Sequence, residues 1–198
     1  MLVREIMTAG PATTTPQATT KAALRQLAER GITALPVVDR HGRLCGIVSE
    51  ADLIQDLVVR DPRAQERPIT IDPVYPPKTV EDVYTRAPVT VAAEDDVSVA
   101  VDLMTATGAK SLPVVDDDWT VVGILSRSDV IRTLARDDAE IAADIDRVLA
   151  SVGHEDWLVE VVDGVVSVTG PAAVGESAIA TVVAQTVPGV VHVKVAAD

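Results

Sequence analysis

The sequence predicts a mixed α/β and α+β fold made of three small units. Two are copies of one β-α-β-β-α unit, and a smaller α-β-β-α-β unit follows. Three observations predict this. One constant shift of 77 lays residues 3–57 onto residues 80–134. The apolar residues are strand formers: hydrophobic types make up 47% of 198 residues, yet Phe is absent and aromatics reach only 2%. A core of Val, Ile, Leu and Ala follows, and branching at Cβ suits a pleated surface. Finally, Asp163-Gly164 separates two valine-rich runs. That pair signals a two-residue hairpin, because a type I′ turn needs positive φ at both central residues.

The shift carries Gly31-Ile-Thr-Ala-Leu-Pro-Val-Val-Asp39 onto Gly108-Ala-Lys-Ser-Leu-Pro-Val-Val-Asp116, and Gly46-Ile-Val-Ser-Glu-Ala-Asp52 onto Gly123-Ile-Leu-Ser-Arg-Ser-Asp129. Each copy opens on an extended piece, Ala12-Thr13-Thr14 or Val89-Thr90-Val91. A helix follows: Thr20, Ala23, Leu24 and Leu27 share one face, as do Val97, Ala100, Val101 and Met104. Gly31 and Gly108 stand where a helix C′ glycine belongs. Two short strands come next, Leu35–Val38 with Leu44–Val48, and Leu112–Val115 with Val121–Leu125. The turns between them are Asp39-Arg40-His41-Gly42 and Asp116-Asp117-Asp118-Trp119. A last helix carries Leu53, Ile54 and Leu57, or Val130, Ile131 and Leu134.

Residues 58–79 form the connector, with Pro62, Pro68, Pro73, Pro76 and Pro77. Proline fixes φ and removes a donor, so an extended arm is expected. The expected boundaries are therefore 1–57, 58–79, 80–135 and 136–198. In the last unit, Ile141, Ile145, Val148 and Leu149 mark a helix over 137–151. Pairing outward from Asp163-Gly164 sets Val161 against Val166, Glu160 against Ser167 and Val159 against Val168. One face is then all valine, as in a half-buried sheet. A helix over 173–186, the turn Pro188-Gly189 and a strand over 190–196 complete the order.

Charge and motifs exclude several functions. Seventeen Lys and Arg against 30 Asp and Glu give −13. Nucleic-acid binding needs a basic footprint, so no nucleic acid is expected. Adsorption to an anionic membrane is disfavoured too. Cys45 is the single cysteine, so no internal disulfide framework or cysteine metal cluster can form. His41, His154 and His192 lack ligand spacing, and no metal is expected. Neither G-x-x-x-x-G-K-[ST] nor G-x-G-x-x-G occurs. No nucleophile has an activating partner, so the chain is not expected to be an enzyme and no catalytic residue is named. No h-region opens the chain and no apolar run reaches a membrane span, so a cytoplasmic location is expected.

The repeated Ser49-Glu-Ala-Asp52 and Ser126-Arg-Ser-Asp129 follow a strand and open a helix. Ser-x-x-Asp at that place is a capping arrangement. The same geometry can serve a ligand. A helix N-terminus attracts a phosphate, and an Asp one turn on can accept from both hydroxyls of a ribose diol. Spacing alone leaves both roles open.

Taken together, the repeat, the element order, the LPVVD stretch and the G-h-h-S-x-x-D stretch resemble CBS domains. The tandem pair, over about residues 2–135, resembles a Bateman module. The resemblance implies two copies packed with pseudo-twofold symmetry, homodimerisation, and an adenosyl small molecule held by Ser49 and Asp52 or by Ser126 and Asp129. It also implies an aliphatic slot for the base, made by Ala12, Thr13, Thr14, Ile32, Ala34 and Pro36 in copy one. In copy two the slot is Val89, Thr90, Val91, Ala109, Ser111 and Pro113. Lys110 and Arg127 are the cations expected to meet a phosphate. They replace Thr33 and Glu50 of copy one. The ligand would be an adenine nucleotide or S-adenosylmethionine, with no required cofactor. The stretches VEVVDGVVSVTG and AIATVVAQTVPGVVHVKV resemble a BON domain, which implies contact with a phospholipid membrane or a protein partner. The expected function is a regulatory adenosine-ligand sensor that relays its bound state through the connector or the last unit. The alternative is a dimerisation scaffold with degenerate sites.

Overall fold

A computed structural model describes residues 1–55, 78–171 and 174–196. Leu57 and the five connector prolines lie outside these residues. The chain divides into two compact bodies. One holds Thr8–Ala93 and Ser111–Leu125; the other holds Met1–Met7, Glu94–Lys110 and Ser126–Asp198.

In the first body, β1 (Thr8–Ala9) precedes α2 (Thr20–Arg30), while α1 (Val3–Ile6) belongs to the second. Thr19 caps α2 by accepting from the Ala22 amide at 3.2 Å, and Gly31 ends it at φ 62°. Strands β2 (Ala34–Val38) and β3 (Leu44–Ser49) then lead to α3 (Glu50–Ile54). A 3₁₀ turn, Val80–Asp82, precedes β4 (Thr85–Arg86). Strands β5 (Ser111–Val115) and β6 (Val121–Ser126) belong to copy two. The sheets are ordered β2-β3-β4 and β1-β6-β5. Ala23, Leu27, Leu35, Val37, Val48, Leu53 and Val80 form one buried core.

The copies exchange edge strands. Thr8 and Ala9 pair with Ile124 and Gly123, and Thr85 and Arg86 pair with Ile47 and Gly46. The register is thus repeated with the copies interchanged, the local mark of a pseudo-twofold relation. The turns meet reciprocally too. Leu44 donates to the Trp119 carbonyl at 2.9 Å, and Val121 donates to that of Gly42 at 3.2 Å. The expected opening strands are only single bridges, Thr14 to Val37 and Val91 to Val114. The sequence reading missed β1 and β4, because two residues carry no periodicity to read.

The two reciprocal turns differ at one residue. Gly42 sits at φ 80° and its counterpart Trp119 at φ 62°. A left-handed conformation costs a residue with a Cβ roughly 1–2 kcal/mol. Trp119 is 54% exposed, so few contacts offset that cost. Trp119→Gly is expected to raise the stability of the chain by about 0.5–1 kcal/mol, net of the backbone entropy of glycine. Thermal denaturation of the two proteins side by side checks this.

The second body holds α4 (Val97–Thr107), α5 (Arg127–Leu134), α6 (Asp138–Ser151), β7 (Leu158–Val162), β8 (Val165–Thr169), α7 (Val174–Thr186) and β9 (His192–Ala196). The last five give the expected α-β-β-α-β order. The hairpin register is as read from sequence, with Val159, Glu160 and Val161 opposite Val168, Ser167 and Val166. Asp163 and Gly164 take φ 50° and 74°. Both their amides donate to Asp138, at 2.8 and 2.9 Å, so the first turn of α6 holds the hairpin tip. Strand β9 pairs in parallel with β8. Ile141, Ile145 and Leu149 of α6 and Ala180 and Ala184 of α7 cover the valine face, with Trp157 in the same core. Strand β9 starts at His192, later than expected, because Val190 donates to Val187 and Val191 to Gly164 while the chain is still turning. Asp137 is the cap of α6, accepting from the Ala139 amide at 2.8 Å.

Arg136 ties the start of α6 to the Pro188 carbonyl at 2.6 Å and to Asp144 at 2.7 Å. Arg147 also donates to Asp144. These hydrogen bonds, that of Arg136 foremost, hold the Asp144 carboxyl below the usual carboxylate range. A depressed carboxylate contributes stability above its unfolded value, near 4, and loses it as pH falls through the folded value. Asp144→Asn should therefore flatten the fall in Tm between neutral pH and about pH 3, as followed by thermal melts across pH.

Candidate functional site

Strand β2 gathers several of the residues expected to form the copy-one site. Ser49, at the end of β3, pairs with Ala34 on one side of β2, and Thr14 bridges to Val37 on the other. Ala34 and Pro36 are both buried and share a face by strand alternation. Thr14 donates its amide to the Pro36 carbonyl at 3.0 Å, and its carbonyl accepts from Val38 at 2.8 Å. Its side-chain hydroxyl is different. Thr14 is 4% exposed, and Oγ1 is the buried side-chain polar atom without a hydrogen-bond partner among the described residues. An unsatisfied buried hydroxyl costs about 1–3 kcal/mol. Ala12, Thr13 and Ile32 are half-buried nearby in the chain.

Both Ser-x-x-Asp stretches are capping boxes. The Ser49 amide and hydroxyl donate to Asp52 Oδ2 at 2.8 and 2.7 Å, and the Asp52 amide donates to Ser49 Oγ at 3.4 Å. The corresponding distances for Ser126 and Asp129 are 2.8, 2.6 and 3.3 Å. The amides of Glu50 and Arg127 donate to the carbonyls of Thr33 and Lys110. Capping is therefore present in both copies.

The copies diverge at the other carboxylate oxygen. Asp129 is 6% exposed, and its Oδ1 accepts from Arg132 at 3.1 Å. Asp52 is half-buried, and its Oδ1 has no partner among the described residues. The i,i+3 spacing of Asp129 and Arg132 is the signal that could have found this pair from sequence. Position 52 lacks it, because residue 55 is Gln.

Copy-two residues fall in both bodies. Val89, Thr90, Val91, Ser111 and Pro113 belong to the first, with Val91, Ser111 and Pro113 buried. Val91 occupies the position of Thr14 without a hydroxyl. Ala109, Lys110, Ser126, Arg127 and Asp129 belong to the second. Arg127, expected to meet a phosphate, sends Nε to the Ala109 carbonyl at 3.1 Å and Nη2 to that of Met104 at 2.9 Å. It closes the C-terminal end of α4, where carbonyls lack helical partners. Lys110 is exposed.

Among the described residues, no group of three His, Cys, Asp or Glu could hold a metal ion. Burial, with a smaller contribution from Asp39, pushes the Cys45 thiol up, away from the thiolate that redox chemistry needs. His154 stacks on Trp157 with ring centres 3.8 Å apart. No described helix is long and apolar enough to cross a membrane.

The model of the CBS domain family matches residues 3–59 and 80–136. The chain belongs to this family. Over 135 residues, this CBS protein is 32% identical to the A-adding tRNA nucleotidyltransferase of Aquifex aeolicus. That match covers 68% of the chain but 14% of the enzyme's length. A solved CBS domain pair, protein MJ0100 in complex with 5′-methylthioadenosine and S-adenosyl-L-methionine, is 30% identical with a TM-score of 0.55. The match spans 67% of this chain and 94% of that one. CBSX2 of Arabidopsis thaliana, solved in complex with AMP, is 30% identical with a TM-score of 0.52, over 66% of this chain and 93% of that one.

Proposed function

We propose that this CBS protein is a regulatory sensor that binds an adenosine-containing ligand at the copy-one site. The observation that carries the reading is the buried, unpartnered hydroxyl of Thr14 beside the strand whose far side bears Ser49. The open Oδ1 of Asp52 supports it. A base edge in the slot would supply the partner that Thr14 Oγ1 lacks. A ribose diol would donate to Asp52, each bond charge-assisted. Occupation of relatives by AMP, methylthioadenosine and S-adenosylmethionine supports the same ligand class. The residues expected to form the copy-one site, taken with Glu50, include two carboxylates, Glu50 and Asp52, and no cation. A ligand without phosphates is therefore preferred over ATP.

The protein is read as a non-enzymatic, cytoplasmic homodimer. Its bound state passes to a partner through the 58–79 connector or the BON-like unit, residues 136–198. Binding can shift such an equilibrium only by its differential affinity for two states. Calorimetric titration with AMP, ADP, ATP, methylthioadenosine and S-adenosylmethionine tests the reading. The absence of both heat and a thermal shift with all five overturns it. A second reading, a scaffold that docks a protein or phospholipid, draws on the exposed Leu158 and Val162 of β7.

A further inference from the structure

The C-terminal sheet is covered on one face only. Val159, Val161, Val166, Val168, Val193 and Val195 face the helices. The other face has three rows set by the registers. Leu158, Thr169 and Ala196 form the first row. Glu160, Ser167 and Lys194 form the second, and Val162, Val165 and His192 the third. Leu158 and Val162 are 70% and 67% exposed, far above the ordinary for strand positions of their size. The charges lie at opposite edges of the middle row, with Ser167 between them.

From this pattern we infer that the open face is a self-association surface whose occupant is the same face of a second copy. Symmetry decides the orientation. A two-fold axis parallel to β8 places each Glu160 over the partner copy's Lys194, Ser167 over Ser167, Leu158 over Ala196 and Val162 over His192. Every row then meets itself, with opposite charges matched twice. A two-fold axis across the strands stacks Glu160 on Glu160 and Lys194 on Lys194, and like charges set face to face repel. Only the first arrangement is complementary, and it is isologous, as closed dimers are. Three five-residue strands span about 14 by 17 Å at ordinary sheet spacings. That patch is well below the ~800 Å² each partner buries in a standard interface. The association is consequently weak, micromolar at best, and weakens further with salt.

Sedimentation velocity of the full chain from low to high micromolar concentration is the first measurement. Glu160→Lys or Lys194→Glu alone is expected to weaken the association step about tenfold or more. The double reversal restores it to within about threefold, because the pair is coupled. Both side chains are exposed, so an unchanged melting curve certifies the fold of each variant. Carbodiimide cross-linking of mixed isotopically light and heavy protein should join Glu160 of one copy to Lys194 of the other. A wild type of one size throughout, single reversals without effect, a double reversal that fails to restore, or the lack of a light–heavy link would each overturn the inference.

Discussion

Asp52→Ala is expected to weaken binding of an adenosine ligand by about 10- to 100-fold, the worth of a hydrogen bond to a charged group. Asp129→Ala is expected to leave that affinity within about threefold, since copy two is not the proposed site. The contrast follows from one oxygen. Both aspartates spend Oδ2 on their capping serine, but Asp129 Oδ1 is held by Arg132, whereas Asp52 Oδ1 has no partner among the described residues. Because Asp52 also caps α3, the fold must be checked by a melt. Thr14→Val gives a companion with an opposite signature. It removes a buried hydroxyl that has no partner, so the free protein gains about 1–2 kcal/mol while ligand affinity falls. Copy two already carries that substitution as Val91. Paired titrations and melts on Asp52→Ala, Asp129→Ala and Thr14→Val check this. Equal losses in both aspartate variants would place the ligand elsewhere.

Gly46→Ala is the substitution expected to damage the fold most. A Cβ on Gly46 would fall inside van der Waals contact of the Thr85 carbonyl oxygen and of the Tyr84 ring. Gly46 is the residue of β3 that pairs with Arg86 of the exchanged strand β4. The backbone of β4 cannot rotate aside as a flexible side chain could. Overpacking of this kind costs about 1–3 kcal/mol or more, a fall in Tm of roughly 2–12 °C for a chain of this size. Thermal denaturation measures it directly. Gly31→Ala is a control of another kind, because a Cβ there meets open space and only the positive φ is strained.

Much of this was legible beforehand, and the legible parts share a physical basis. The capping boxes at Ser49 and Ser126 depend on residues three apart, so spacing reveals them. The same holds for the Asp163-Gly164 hairpin and its register, because strand alternation has a period of two. The helix faces of α2 and α4 follow from the helical period, and their buried residues are Thr20, Ala23 and Leu27 and Val97, Ala100 and Met104. Arg127 shows where this reasoning stops. Two carbonyls that it reaches, those of Ala109 and Met104, lie 18 and 23 residues earlier, beyond any local period.

By itself, then, the sequence determined the repeat, the element types, the caps and the identity of the family, all of which rest on local spacing or a constant offset. Only the tertiary structure decided that the copies trade β1 and β4 and that, among the described residues, Thr14 Oγ1 is buried without a partner and Asp52 Oδ1, unlike Asp129 Oδ1, has none. It also decided that three rows of the last sheet lie open with Glu160 and Lys194 at opposite edges. Each of these depends on which distant residues meet and on what covers them, and no linear pattern encodes that.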